Sequence, residues 1–224
     1  QEAKPYLGRL GDMENYPFAA LNTAYMEEGV YIRIDRNVKL DKPVILVNHT
    51  SVGAENLFYN LRNLIVLESG AKAELIEWYN YAGAEKSRYF ANVVNEVFVE
   101  RGAEFRHCKM QDEAFKANHV ALNMVRVRGG GSYNAFCLQR GANIGRNETK
   151  VLLKEEQASA EVNAAYVMHG WATLDTTTDI EHLAPETFSH QLVKGVVGGD
   201  AKGVFQGKIH IAKHAVKTEG LSLI

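Results

Sequence analysis

The residues able to carry chemistry are few, and their spacing serves it poorly. The richest stretch is DTTTDIEHLAPETFSH, with Asp175, Asp179, Glu181, His182 and His190. Metal sites need donors that converge, as in a His-x₃-His or Cys-x-x-Cys pair, and neither spacing occurs. On a strand, Glu181 and His182 point to opposite faces. A polar strand and a loop around Pro185 is the reading this stretch supports. His49, His107, His119 and His169 are isolated and read as surface or satisfied core groups. In GVFQGKI, Gly203 precedes Gly207 by four positions instead of five, and Ile209 stands where a phosphate loop needs Ser or Thr, so this is no Walker A site. Gly129–Gly131 lies between strands with no helix after it, which argues against a dinucleotide loop.

The two cysteines, Cys108 and Cys137, are 29 residues apart. Equal positions on stacked strands would bring their Cα atoms within ~4.8 Å, inside disulfide range. The register favoured below offsets them by one residue, and a one-residue slip sends them to opposite faces. Two separate, partly buried and inert thiols are expected.

The elements that hold these residues follow from a repeat. An apolar strand, a small-residue turn and a second strand recur as IVLESGAKAELIEW, VFVERGAEFRHCKM, VRVRGGGSYNAFCL and LLKEEQASAEVNAAYV. Taking Gly70, Gly102, Gly130 and Gln157 as equivalent, subtraction gives periods of 32, 28 and 27 residues. Hairpin meanders turn every ~8–12 residues, and a βαβ unit needs a crossover helix. The period suits one coil of a β-solenoid, with equivalent strands stacked in parallel. It places Phe105 over Tyr133 and Met110 over Leu138, and roughly 190 residues at ~28 per coil allow about seven coils. Residues 1–29 are expected to form a loop and a short helix, and 30–224 the solenoid. In the helix, from Pro17 to about Glu28, Asn15 is expected to cap, Phe18, Leu21 and Tyr25 to share a face, and Gly29 to stand at C′. That helix could shield the open N-terminal coil.

Composition excludes several classes. A net charge of −2 over 224 residues gives no reason for nucleic acid or an anionic membrane. The arginines between Arg126 and Arg146 read as solvated strand faces. No apolar run approaches the ~20 residues that span a bilayer. Two cysteines fit a reducing compartment. The expectation is a cytoplasmic protein, or a plastid stromal one in a plant or alga. QEAKPYLGRLGDMENY is polar and does not read as a signal peptide.

One stretch carries more than periodicity. In Ser189–Gly220 a strand runs to Val197, a turn follows at Gly198-Gly199-Asp200, and a second strand runs from Val204 to Ile211. The segment KGVVGGDAKGVFQGKIHIAKHAVKTEG resembles the core of the SufB/SufD family of the SUF iron–sulfur cluster assembly system, its SufD-like members in particular. PFAALNTAYMEEGVYIRI, KPVILVNHTS, GRNETKVLL and HLAPETFSHQLVKGV extend the resemblance over almost the whole chain. The residues that carry it are Lys194, Gly195, Gly203, Phe205, Gln206, Gly207, Lys208, Lys217 and Thr218, and their types suit coils and turns.

The resemblance implies an all-β, right-handed parallel β-helix with a short N-terminal helix. It implies a non-catalytic scaffold of the SufBCD complex, with SufB-like and SufC-like partners in the full-length protein. An iron–sulfur cluster would be present only transiently, in the assembled complex. The family's functional histidine lies in a Lys-Cys-Ser-His-Gly motif that this sequence lacks, so neither His210 nor His214 is assigned that role. The helical segment that binds SufC is also without a match, so weak SufC binding and a homodimer of the isolated chain are expected. No catalytic, cofactor-binding or metal-binding residue is assigned. The alternative is a β-helix lyase or hydrolase acting on carbohydrate, for which Asp175, Asp179 and Glu181 could serve.

Overall fold

The computed structural model describes residues 2–10, 15–51, 55–82 and 88–223. Among these residues one helix, α1 (Pro17–Tyr25), precedes fourteen strands. They are β1 (Tyr31–Ile34), β2 (Val44–Thr50), β3 (Glu55–Leu67), β4 (Lys72–Tyr81), β5 (Arg88–Val99), β6 (Glu104–Glu113) and β7 (Asn118–Val127). There follow β8 (Ser132–Gly141), β9 (Ile144–Leu153), β10 (Ser159–Met168), β11 (Thr173–His182), β12 (Phe188–Val197), β13 (Lys202–Ile211) and β14 (Glu219–Leu223). Odd strands form one seven-stranded sheet in chain order and even strands form the other. Every ladder is parallel. The chain is a flattened β-solenoid of about 6 turns, where the repeat suggested about seven.

Stacking of like residues fills one side of the interior. Ile32, Ile65, Val97, Val125, Val151, Ile180 and Ile209 stand in register up the odd sheet. β-Branched side chains fit this pleated surface and lose little χ1 freedom on it. Against them pack Phe105 and Tyr133, paired in register with ring centroids 6.1 Å apart, as the repeat predicts. Met110 pairs with Leu138.

The corners explain the period. After each odd strand one residue takes left-handed φ: Asn37, Gly70, Gly102, Gly130, Gln157, Glu186 and Lys217. At Gly70, Gly102 and Gly130 its N–H donates to a carbonyl of the next coil, Arg101, Gly129 and Glu156, at 2.9–3.1 Å. Each corner is thereby tied to the one above it.

The helix departs from expectation. It ends at Tyr25, its N-cap is Tyr16, and Met26 is its C-cap, three residues before Gly29. Phe18 and Tyr25 are exposed, and the buried face is Ala19 and Asn22. Small Ala19 lets the helix lie close against Val94, Leu122 and Met124. Asn22 Nδ2 donates to the carbonyls of Leu61 and Asn92, at 3.0 Å each. The helix therefore covers the outer face of the odd sheet and does not shield the N-terminal coil. Gly29 lies where β3 passes closest: a Cβ there would be 1.9 Å from the Arg62 carbonyl oxygen.

Candidate functional site: a polar column inside the solenoid

The residues singled out in the sequence are dispersed by the fold. Asp175, Asp179 and Glu181 face outward from β11, each in an ion pair with a neighbouring strand: Arg146 at 2.7 Å, Lys208 at 3.4 Å and Lys150 at 3.1 Å. His182 points inward and is fully buried, with Thr187 Oγ1 2.8 Å from Nδ1 and Ser189 Oγ 2.9 Å from Nε2. His190 lies on β12, in the other sheet. Among the described residues, no three of His, Cys, Asp and Glu gather in a metal-binding arrangement. Gly129–Gly131 is a corner, with Gly129 N–H donating to Glu155. The arginines pair too: Arg126 and Arg128 share Glu100, and Arg140 meets Asp112.

The stretch from Ser189 to Gly220 supplies β12 to the even sheet and β13 to the odd one, joined at the Gly198–Asp200 turn. Lys194 is exposed on β12. Gly195 and Gly203 leave room for the Tyr166 ring, which a Cβ would meet at 1.8 and 2.8 Å. Phe205 packs on the cluster of Cys137, Ala164 and Val193, and Gly207 lies beneath its ring. Gln206 is exposed, and Lys208 reaches Asp179. Lys217 is the last left-handed corner residue, and Thr218 hydroxyl lies 3.0 Å from that of Thr187.

What the sequence reading did not anticipate is the other half of the interior, which is polar. On β4, Glu77 and Tyr79 point inward while Ile76 and the exposed Trp78 point out. His107, Lys109, Gln111 and Glu113 do the same on β6. Glu77 accepts from Tyr79 hydroxyl at 2.6 Å and Asn95 Nδ2 at 2.8 Å, and lies 2.7 Å from His107 Nε2. His107 Nδ1 lies 3.0 Å from Tyr133 hydroxyl. An amide ladder crosses this cluster: Asn63 donates to Asn95 at 2.9 Å, Asn95 to Asn123 at 2.8 Å, and Asn123 to Thr149 at 3.2 Å. Lys109 Nζ sits 2.8 Å from His119 Nε2 and 5.0 Å from the centre of the Tyr79 ring. His119 Nδ1 faces Glu113 at 3.0 Å.

Burial raises the Glu77 carboxyl, but His107, Lys109 and Tyr79 together outweigh it and hold the group down at about 2. Burial lowers Lys109 and His119, with Glu113 opposing it in both. Lys109 Nζ and the Glu113 carboxylate thus stand at the two nitrogens of the His119 ring. Glu77 and Glu113 each have a buried nitrogen partner, His107 for the first and His119 for the second, and Lys109 lies near both, as buried carboxylates require. A cavity of about 20 Å³, lined by His107, Lys109, Cys137 and Asn147 among others, lies beside the cluster. It has room for about one water molecule. That space is too small for an organic substrate.

The thiols follow the offset register: Cys108 pairs with Phe136, and Cys137 with Lys109. Cys137 is buried inside the solenoid and Cys108 is half-buried outside, both free. Burial pushes the Cys137 thiol up to about 11 and also raises Cys108. Titration of the native protein with a thiol reagent at neutral pH should therefore modify Cys108 slowly and spare Cys137, and both should react after unfolding. Rapid native modification of Cys137 would contradict this burial.

Taken together, these elements define a two-sheet parallel β-solenoid. A sequence model of the SUF system FeS cluster assembly SufBD core domain matches residues 49–222. The chain belongs to this SufBD family. It is 27% identical over 224 residues to the Synechocystis iron–sulfur cluster assembly SufBD family protein slr0076, covering 97% of this chain and 49% of that protein. To the Escherichia coli iron–sulfur cluster assembly protein SufD it is 26% identical over 205 residues, 91% of this chain and 48% of SufD. The chloroplastic SufBD family protein ABCI8 of Arabidopsis thaliana is 25% identical over 222 residues, 95% and 39% respectively. The chain thus spans about half the length of the curated relatives it matches, or less. No helix among the described residues is long and apolar enough to cross a membrane.

Proposed function

We propose that this chain is the core of a non-catalytic scaffold subunit of a SufBCD-type complex, in which iron–sulfur clusters are assembled. The observation that carries the reading is the SufBD core match over residues 49–222. The ion-paired state of Asp175, Asp179 and Glu181 favours it over a carbohydrate-active β-helix, whose carboxylates must be free to reach substrate. The cluster is cargo, held transiently between subunits and not by this chain alone. The partners are SufB-like and SufC-like proteins acting on the full-length protein, in the cytoplasm or the plastid stroma. In isolation the chain forms a homodimer through its C-terminal coils, where, among the described residues, β13 and β14 each have a neighbour on one side only.

A paired assay tests the scaffold reading. The purified chain is incubated with ATP, and separately with ferrous iron and sulfide under anaerobic conditions followed by desalting. The expected result is no ATP hydrolysis and no retained cluster absorbance. ATPase activity that survives purification to homogeneity, or a stable cluster on the chain alone, would overturn it.

A further inference from the structure

The N-terminal end of the odd sheet stops half-way. β1 pairs with β3 only from Tyr31↔Leu64 to Ile34↔Leu67, and a single bridge, Glu28↔Leu61, precedes it. β3 nevertheless begins at Glu55. Among the described residues, nothing pairs with β3 on this side before Leu61. The direction of its free groups follows from the ladder. Arg62 and Leu64 N–H donate to Glu28 and Val30 carbonyls. Backbone groups alternate sides along a strand, so Phe58 presents its N–H and C=O, and Asn60 its N–H, to the same open edge, while the Asn60 carbonyl faces Glu28.

The side chains there are set for like-on-like stacking. Phe58 is 42% exposed and stacks on Phe90 of β5, with centroids 5.2 Å apart and planes 23° apart. Asn60 accepts from Asn92 at 2.8 Å. Among the described residues its own Nδ2 makes no hydrogen bond, and it is the next donor along that ladder. A cleft of about 440 Å³ opens beside the edge, between β2 and β3, lined by Val47, Asn48, Tyr59 and Leu61 among others. The helix that might have closed this end lies instead on the outer face of the sheet.

We infer that the first half of β3 is a docking edge for an extended peptide strand of another protein, one carrying an aromatic residue and an amide two positions apart. The edge supplies backbone hydrogen bonds, the usual source of affinity in strand addition. Phe58 and Asn60 supply the selectivity, by continuing the Phe58–Phe90 stack and the Asn60–Asn92 ladder by one more member. The incoming strand extends the ladder that β1 already forms on the same edge.

The probe is a fluorescent peptide copying Arg88–Asn92, RYFAN, whose parent segment pairs in parallel with β3 on its other edge and which ends short of the Glu28 bridge. With its phenylalanine beside Phe58, the N–H at the Ala91 position donates to the Phe58 carbonyl, while the N–H at the Asn92 position points away. Anisotropy titration should show saturable binding. N-methylation at the Ala91 position should weaken it by about tenfold, and N-methylation at the Asn92 position should change it little. Replacing the phenylalanine by alanine, in the peptide or as Phe58→Ala in the protein, should also weaken binding by about tenfold. No saturable binding up to about 1 mM, or equal losses from the two methylations, would overturn the proposal. So would peptide-driven conversion of dimers to monomers in sedimentation, which would assign the edge to a second copy of this chain. These outcomes are independent of the scaffold reading.

Discussion

Replacing Glu77 by alanine is expected to cost about 3–5 kcal/mol, the loss typical of breaking a buried charged cluster from one side. The carboxylate is fully buried, and removing it leaves His107 Nε2, Tyr79 hydroxyl and one of the two Asn95 Nδ2 hydrogens without an acceptor. Against a total stability of about 5–15 kcal/mol this is a large fraction. Glu74→Gln, on the outer face of the same strand, should change stability by less than about 0.5 kcal/mol. The check is the urea midpoint at an unchanged slope. The pH dependence gives the loss a signature. The Glu77 carboxyl is held down at about 2 from 4.5. Its contribution is therefore fully present above pH 4.5 and is lost as pH falls towards 2. The gap between the parent and Glu77→Gln should shrink across that window. A gap of under about 1 kcal/mol at pH 7 would mean that the column does not hold the coils together.

Gly141→Ala is the second large effect, at about 2–4 kcal/mol. Gly141 ends β8 with a φ of 76°, and a Cβ there would lie 2.1 Å from the Glu113 carbonyl oxygen and 2.9 Å from its nitrogen. Backbone cannot yield as a side chain can, so the clash displaces the strand end that aims Glu113 at His119. Gly102→Ala separates the clash from the backbone conformation. Gly102 has a φ of 65° but meets nothing within 4 Å, so only the left-handed strain remains, about 1–2 kcal/mol. Thermal midpoints of the two variants should differ clearly. Equal shifts would remove the close approach as the cause.

Much of the fold could be read from the chain because a solenoid repeats its geometry. Gly70, Gly102, Gly130 and Gln157 mark four of the seven left-handed corners after odd strands among the described residues, and their spacing predicts both the Phe105–Tyr133 stack and the offset of the cysteines. Asn37, Glu186 and Lys217 hold the same conformation without being glycine. Polar residues at loop tips are common, and nothing in their type distinguishes these three. The polar column was hidden for another reason. In KAELIEWYNY the apolar residues Ile76 and Trp78 face out and Glu77 faces in, so a reading by hydrophobic alternation assigns this part of the strand to the wrong face. The signal was nevertheless present. Asn63, Asn95 and Asn123 are separated by 32 and 28 residues, the same steps as Gly70, Gly102 and Gly130. An amide that recurs with the coil period must stack on itself, and a stacked amide can be buried because each member satisfies the next. Hydrophobicity does not pick out the packed face of the helix, where fit decides: Ala19 and Asn22 are buried, and Phe18 and Tyr25 are exposed.

The proposed scaffold role requires that the chain pair with a SufB-like partner. Sedimentation velocity of the purified chain, alone and mixed with the SufB-like protein of the same organism, tests it most directly. The account predicts a homodimer alone and a heteromeric species on mixing, formed at micromolar concentrations. Independent sedimentation of the two proteins at tens of micromolar would contradict the claim.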